Sequence, residues 1–160
     1  MEQHEIDAEL DAAAGLLDSA SAGHLSYVAQ DSTPRVVPVG IWWTGTQFVI
    51  STASTAPKVA ALTARPELAL AVAAGGTPQD ARYLSVRGSA EIRVVDGLVD
   101  EYVAAARKSM DPEAAEQFVE SCRAMYDQMA RIAVTPRWAR YYDFGAGRMP
   151  KFLQDLAERG

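Results

Sequence analysis

HLSYVAQDSTPRVVPVGIWWTGTQFVISTASTAPK, residues 24–58, holds three runs of strand-forming residues divided by two turn clusters, and it ends in hydroxyl residues at the start of a helix carrying Lys58. The runs at 25–29, 35–43 and 47–52 are rich in β-branched and aromatic side chains. Asp31-Ser32-Thr33-Pro34 and Thr44-Gly45-Thr46 between them have turn chemistry, so the stretch predicts a β-meander. The middle run is apolar at both parities, with Val36, Val37, Val39, Ile41, Trp42 and Trp43, and such a strand is covered on both faces. A barrel interior covers one of them; a helix, a ligand or a second subunit must cover the other, and a subunit is the expectation.

Outward from this stretch, residues 6–20 place Ile6, Leu10, Ala13, Leu16 and Leu17 on one helical stripe. A helix over 55–63 ends before Arg65-Pro66, a fourth strand spans 68–73, and Gly75-Gly76 with Pro78 marks a mobile loop before a long fifth strand at 82–94. Two helices follow, the second over 112–130 with Ala115, Phe118, Val119, Cys122, Tyr126 and Met129 aligned as a stripe that packs on the sheet. Two closing strands, 131–135 and 138–144, flank Pro136, and a short helix follows Pro150. The chain reads as one domain over residues 1–160: an N-terminal helix at 1–22, barrel strands at 24–95, helices at 97–130 and closing strands at 131–144. Connections too short for parallel crossovers make it mainly β with appended helices, an α+β antiparallel barrel.

Charge narrows the partners. A net charge of −6 and a pI near 4.9 oppose binding to nucleic acid or to an anionic membrane, both of which need a basic face. The distribution is uneven: residues 1–23 hold six acids and no Lys or Arg, whereas 24–95 hold six bases against four acids. The strand-rich part can hold an anion although the whole chain repels one. Cys122 is the single cysteine, so neither a disulfide nor a thiolate metal cluster is expected, and a cytoplasmic location follows from the reducing chemistry and from the lack of an export signal or a long apolar run.

Lys58 lies in the first turn of its helix, where the dipole disfavours a cation by roughly 0.3–1 kcal/mol and a bound anion would reverse that penalty. Free backbone N–H groups in that turn, with Ser51, Thr52 and Thr55, can bind phosphate oxygens. The competing reading is a solvated lysine on a short helix capped by Ser54 or Thr55. Arg35 is either a second cation for the same ligand or a solvated strand end, and Arg82 and Arg87 are candidate rim charges. Trp138 with Arg140, Tyr141 and Tyr142 forms a cluster suited to stacking or to core packing, and Trp42 and Trp43 read as interface packing. No catalytic side chain and no metal ligand set is assigned: GxSxG, CxxC, HExxH, P-loop and GxGxxG patterns do not occur, His4 and His24 suit a triad poorly, and Cys122 reads as an inert buried thiol. An enzyme of this kind relies on a cofactor.

Taken in order, GHLSYV, DSTPRVVPV, FVISTASTAPK, ARYLSVRGSAEI and ARIAVTPRWARYYDFG resemble the pyridoxamine 5'-phosphate oxidase-like family of flavin-binding split β-barrels, from about Gly23 to Gly147. The resemblance implies a homodimer with two FMN sites at the subunit interface. It implies that Arg35, Val36, Val37 and Pro38 lie along the flavin ring, that Ser51, Thr52 and Lys58 approach the phosphate, and that Arg82, Tyr83 and Trp138 add contacts, some from the partner chain. The activity implied is hydride transfer between FMN and a small molecule; a deazaflavin-dependent reductase and a non-catalytic flavin- or haem-binding protein are the alternatives. Three departures matter. Pro57 stands where the oxidases carry an arginine, and DFGAGRMPKFL does not match their C-terminal arginine and histidine element, so vitamin B6 oxidation is not implied. Val59-Ala60-Ala61 also lacks the basic residue that deazaflavin users often place after the lysine.

Overall fold

Antiparallel pairing runs through the whole sheet of the computed structural model, which describes residues 1–159. Strands β1 (Ala22–Val28), β2 (Pro34–Gly40), β3 (Trp42–Trp43), β4 (Phe48–Ala53), β5 (Glu67–Ala74), β6 (Arg82–Asp96) and β7 (Gln128–Asp143) lie in the order β2-β1-β5-β6-β7-β4-β3. Among the described residues six helices accompany them: α1 (Gln3–Ala12), α2 (Ala14–Ser19), α3 (Pro57–Ala64), α4 (Asp100–Ser109), α5 (Pro112–Met125) and α6 (Lys151–Ala157). The fold is α+β, as predicted, and none of these helices is long and apolar enough to cross a membrane.

The junction between β2 and β3 sets the shape. These strands are opposite ends of the sheet, yet only Ile41 separates them, so the sheet curls until its two ends come together at this residue. The single strand expected over 35–43 is therefore two. Ile41 is buried and its N–H donates to the Ser21 carbonyl at 3.1 Å, after which the chain leaves β1 and pairs with β4 instead. Trp43 then turns inward onto Phe48, with ring centroids 4.5 Å apart, and Trp42 turns outward.

Strand alternation divides the sheet into an inner and an outer face. Leu25, Phe48, Leu70, Leu84, Val86 and Ile132 point inward and pack against Ile6, Leu10, Leu16 and Leu17 of α1 and α2 and Leu62 of α3. On the outer face Val49 and Met129 pack with Val99, Trp42, Tyr102 and Tyr126, beneath α4. The larger remainder of the outer face, including Val36, Ala71, Ala73 and Tyr83, is exposed.

Other boundaries shift for local reasons. The predicted N-terminal helix breaks at the buried Ala13, whose ψ of 1° leaves the helical range, though its apolar stripe survives across α1 and α2. Asp111 caps α5 by accepting from Ala114 N at 3.1 Å, with Pro112 in the first turn. That helix stops at Met125, not 130, and Met129 pairs with Val95 inside β7. Helix α5 packs on α4, which itself lies against β3 and β4, so the expected direct packing of this helix on the sheet is replaced by a second layer. The two closing strands are one. Pro136 is absorbed by a bulge in which Arg137 is the extra residue, opposite Gly88. A Cβ on Gly88 would lie 2.5 Å from the Thr135 carbonyl oxygen, so the close approach of β6 and β7 requires glycine. The predicted loose loop is instead a defined turn, where the Asp80 carboxylate accepts from the N–H groups of Gly76 and Thr77.

Candidate functional site

Two concave regions lie at the two ends of β2. The first forms where the β1–β2 turn meets the start of α3. Asp31 organises this turn by accepting from the Thr33 hydroxyl at 2.6 Å and the Thr33 N–H at 3.0 Å, while Arg35 donates to Asp31 at 2.8 Å and also to Thr33 Oγ1. The Thr33 hydroxyl and N–H, with Arg35, hold the Asp31 carboxyl down at a pKa of about 2. From the far end of α3, Arg65 donates to the Ala29 carbonyl and Ser32 hydroxyl, which ties helix and turn together. Arg35, Tyr27, Pro57 and Ala61 border an open pocket of about 270 Å³. Neither Ser54 nor Thr55 caps α3; the N-cap is Ala56 with no side-chain bond, Pro57 has no N–H and the Val59 N–H donates to the Ala56 carbonyl at 2.9 Å, which leaves the Lys58 N–H as the open first-turn donor among the described residues. Lys58, in that turn, makes no ion pair among the described residues.

The second region is a groove at the Gly40 end, between α2, β3 and α4. It comprises two adjoining pockets of about 290 and 220 Å³ that share Ser21, Ile41, Trp42, Ala105 and Ser109. Trp42 is its aromatic wall, and Lys108 Nζ sits 5.6 Å from the centre of that ring. Tyr102 and Phe118 form the opposite wall, ring centroids 5.9 Å apart, with the Tyr102 hydroxyl 3.7 Å from Cys122 Sγ. Burial and the Cys122 contact push the Tyr102 phenol above its ordinary range, so it is a neutral hydrogen-bonding group. At the base, Arg131 donates from Nε to Glu101 Oε1 at 2.9 Å and from Nη2 to the same oxygen. The guanidinium holds the Glu101 carboxyl below the usual carboxylate range despite partial burial. A mostly apolar hollow with a few placed polar groups is what a small organic ligand needs.

Strand parity decides which expected site residues meet. Ser51 lines the groove and faces outward with its cross-strand partner Arg131. Thr52, one residue on, takes the inward parity with Ile50, so the two hydroxyls do not converge. Val36 and Pro38 lie outward, Val36 being 65% exposed, while Val37 packs on the inner core and Arg35 shares its parity at the strand's end. Registers from β2 through β1, β5 and β6 to β7 put Val36 and Pro38 on the same outer face as Tyr83 and Trp138. Tyr83 packs edge-on to Phe144, and Trp138 lies under the Arg87 guanidinium at 4.1 Å. Arg82 starts β6 at inward parity, opposite Asp143. Within one chain, then, Arg35 joins the start of α3, Ser51 joins the Trp42 groove, and Tyr83 and Trp138 stand apart on the open outer face.

Sequence reading missed Trp42, Glu101, Tyr102 and Lys108 as lining residues. Trp42 reads as packing from sequence because the strand break at Ile41 carries no sequence signal, and the α4 residues look like an ordinary solvated helix face until that helix is laid across β3 and β4.

The pyridoxamine 5'-phosphate oxidase family model matches residues 10–143. No curated protein matches the chain. Solved structures do. A conserved hypothetical protein from Mycobacterium tuberculosis superposes with a TM-score of 0.65 at 18% identity, over 94% of this chain and 89% of that one. An F420 reductase gives 0.58 at 25% identity, over 78% and 93%. HutZ, the haem storage protein of Vibrio cholerae, gives 0.60 at 11% identity, over 84% and 94%. The family match takes in every strand from β1 to β7 and the helices between them, and by it the chain belongs to the pyridoxamine 5'-phosphate oxidase family.

Proposed function

We propose that this protein is a homodimeric oxidoreductase that holds a flavin-type coenzyme, FMN in the first reading, along β2. The observation that carries this is the placement of β2 between the two concave regions. The strand runs from Arg35, beside the start of α3, to Gly40, at the Trp42 groove. The five steps of extended chain from Arg35 to Gly40 span roughly 17 Å, which suits an elongated ligand with an anionic tail at one end and a planar ring at the other. As an end strand, β2 also presents backbone groups with no further partner in the sheet.

The residues present fit such a group. Lys58 supplies a cation and its backbone N–H a neutral donor for a phosphate at the start of α3, and Arg35 adds a guanidinium that it shares with Asp31. Backbone groups from Val36 to Pro38 address the ring, and Ser51 and Trp42 bound the space at its far end. The coenzyme supplies hydride transfer; the chain binds it, orients it and limits water around it. No side chain acts as nucleophile or general base in this scheme.

The open outer face supports the dimer. Val28, Val36 and Tyr83 are 40%, 65% and 45% exposed, on a sheet face that also carries Pro38, Ala71, Ala73 and Trp138. An exposed face that sets these apolar side chains among His24, Ser26, Ser85, Arg87 and Arg140 is suited to an interface between copies. A second copy covers it, completes the split barrel pair, and brings the partner's equivalents of the exposed aromatics towards the coenzyme. The cytoplasm is the proposed compartment, consistent with the single buried thiol.

A second reading keeps the fold and replaces FMN with the deazaflavin F420, favoured by the 25% identity to an F420 reductase. Parallel fluorescence titrations of FMN and F420 against one sample separate the two. Saturable quenching of either, weakened about tenfold by Lys58→Ala, supports a flavin-type coenzyme at this site; the loss of one cation–phosphate contact is worth roughly 1.4 kcal/mol on that scale. Binding of neither overturns the proposal.

A further inference from the structure

Another cation-lined hollow stands away from the coenzyme pockets, at the free edge of β7. Pairing between β4 and β7 ends at Val134, so no strand covers that edge further on. At Tyr141 side chains close it instead. The Tyr141 N–H donates to Glu9 Oε2 at 2.8 Å, and the Tyr141 carbonyl accepts from Arg148 Nε at 2.8 Å. Arg148 Nη2 also donates to Glu9 Oε2 at 2.6 Å, and Arg140, which leaves β7 on its outer face, turns round the edge to donate from Nη1 to Glu9 Oε1 at 2.9 Å. Two guanidinium groups thus share one carboxylate. With Tyr142, Met149 and Lys151 they border a hollow of about 310 Å³, and none of its lining residues lines the Trp42 groove or the pocket beside α3.

The charges here do not balance. Glu9, whose side chain is 10% exposed, has both oxygens engaged and neutralises only one of the two guanidinium groups. Asp143 is occupied by the Tyr141 hydroxyl and the Ala146 N–H and lies across the ladder from Arg82. Asp155 pairs with Lys151 at 2.8 Å, but Lys151 is 85% exposed and a surface pair of this kind is worth about 1 kcal/mol at most, so Lys151 can turn to a stronger acceptor. Donors are also left over: Arg140 Nε and Nη2 and Arg148 Nη1 have no acceptor among the described residues. Because Glu9 already braces both guanidinium forks, little remains to be ordered when an anion arrives. A phosphate monoester carries about −1.5 to −2 charge and three acceptor oxygens, which matches what Arg140, Arg148 and Lys151 offer once Glu9 is subtracted. We propose that this hollow binds phosphate, free or as the monoester of a small molecule, at a position distinct from the coenzyme's phosphate beside Lys58. Arg140, Arg148 and Lys151 are its cations, and Glu9 is the positioning residue that holds the two arginines.

Calorimetric titration tests this without turnover. The full chain carrying Lys58→Ala serves as the parent, so that the pocket beside α3 lacks its lysine and contributes little. Saturable binding of inorganic phosphate or phenyl phosphate is expected, and phenol, which has no phosphate, is expected to give none. The tighter of the two phosphates identifies the source: inorganic phosphate a free anion, phenyl phosphate a monoester whose organic part lies against Tyr142. Adding Arg140→Gln removes one guanidinium while Arg148 and the Tyr141 N–H still hold Glu9, and is expected to weaken binding about tenfold. Lys151→Glu, on a side chain 85% exposed, is expected to weaken it at least as much and keeps the test in hand should the Arg140 variant not fold. Absence of saturable binding of either phosphate, phenol bound as tightly as phenyl phosphate, or an affinity within twofold of the parent in either variant overturns the site.

Discussion

Replacing Glu9 by alanine is expected to cost about 2–4 kcal/mol, because this one carboxylate ties α1 to the end of β7 and to the segment before α6. Glu9 is 8% exposed. It accepts from the Tyr141 N–H at 2.8 Å, from Arg140 Nη1 at 2.9 Å and from Arg148 Nη2 at 2.6 Å. Without it the Tyr141 N–H is a buried donor with no acceptor, a loss of about 1–3 kcal/mol. Arg140 and Arg148 are 47% and 42% exposed and return to water, so the two ion pairs together add only about 1 kcal/mol. With a urea slope of about 2 kcal/mol per molar, the midpoint falls by about 1–2 M. Glu9→Gln keeps an acceptor for Tyr141 and is expected to lose about half as much. pH gives an independent reading. Burial pushes the Glu9 carboxyl up, but the Tyr141 N–H and the two guanidinium groups outweigh it and leave the folded value below the ordinary 4.5. A depressed folded value means that the contribution is complete above that ordinary value and is lost as pH falls through the lower, folded one. The stability gap between wild type and Glu9→Gln is therefore expected to narrow on acidification. A Glu9→Ala protein within about 0.5 kcal/mol of wild type, with an unchanged urea slope, would refute the assignment of Glu9 as the clamp.

Gly88→Ala places a methyl against the Thr135 carbonyl and is expected to lower the thermal midpoint by several degrees, a cost of about 1–3 kcal/mol from overpacking two backbones that cannot part; an unchanged melting curve would mean that β6 and β7 do not approach so closely. Val36→Glu puts a charge on the open outer face, on its end strand β2, and is expected to convert the proposed dimer into a folded monomer in light scattering, with its circular dichroism retained. A wild type that is already monomeric at micromolar concentration would contradict the covering of that face by a second copy.

Much of the architecture was legible because it depends on local chemistry. The turn residues Asp31 to Pro34 and Thr44 to Thr46 fall where strands end, and Pro57 and Pro112 sit in the first turns of their helices. What was illegible depends on partners distant in sequence. Pro136 suggested two strands because a proline interrupts a ladder, and only its position opposite Gly88 allows a bulge to carry one continuous strand past it. Val36 to Trp43 reads as one strand covered on both faces, whereas the run divides at Ile41, where the pairing partner changes, and the outer side of its first part is open in one chain. The candidate site shows the same division: Arg35 and the start of α3 can be singled out from residue type and helix position, whereas the groove exists only once α4 crosses β3 and β4, and alternation separates Ser51 from Thr52.

The central claim, a flavin-type coenzyme laid along β2, is tested most directly by a crystal structure of the protein grown with FMN. Ligand density is expected on the β2 edge, phosphate beside Lys58 and Arg35 and ring towards Ser51 and Trp42, with a second copy of the chain closing over it. Density elsewhere on the molecule, or a saturating FMN concentration that leaves β2 bare, would contradict it.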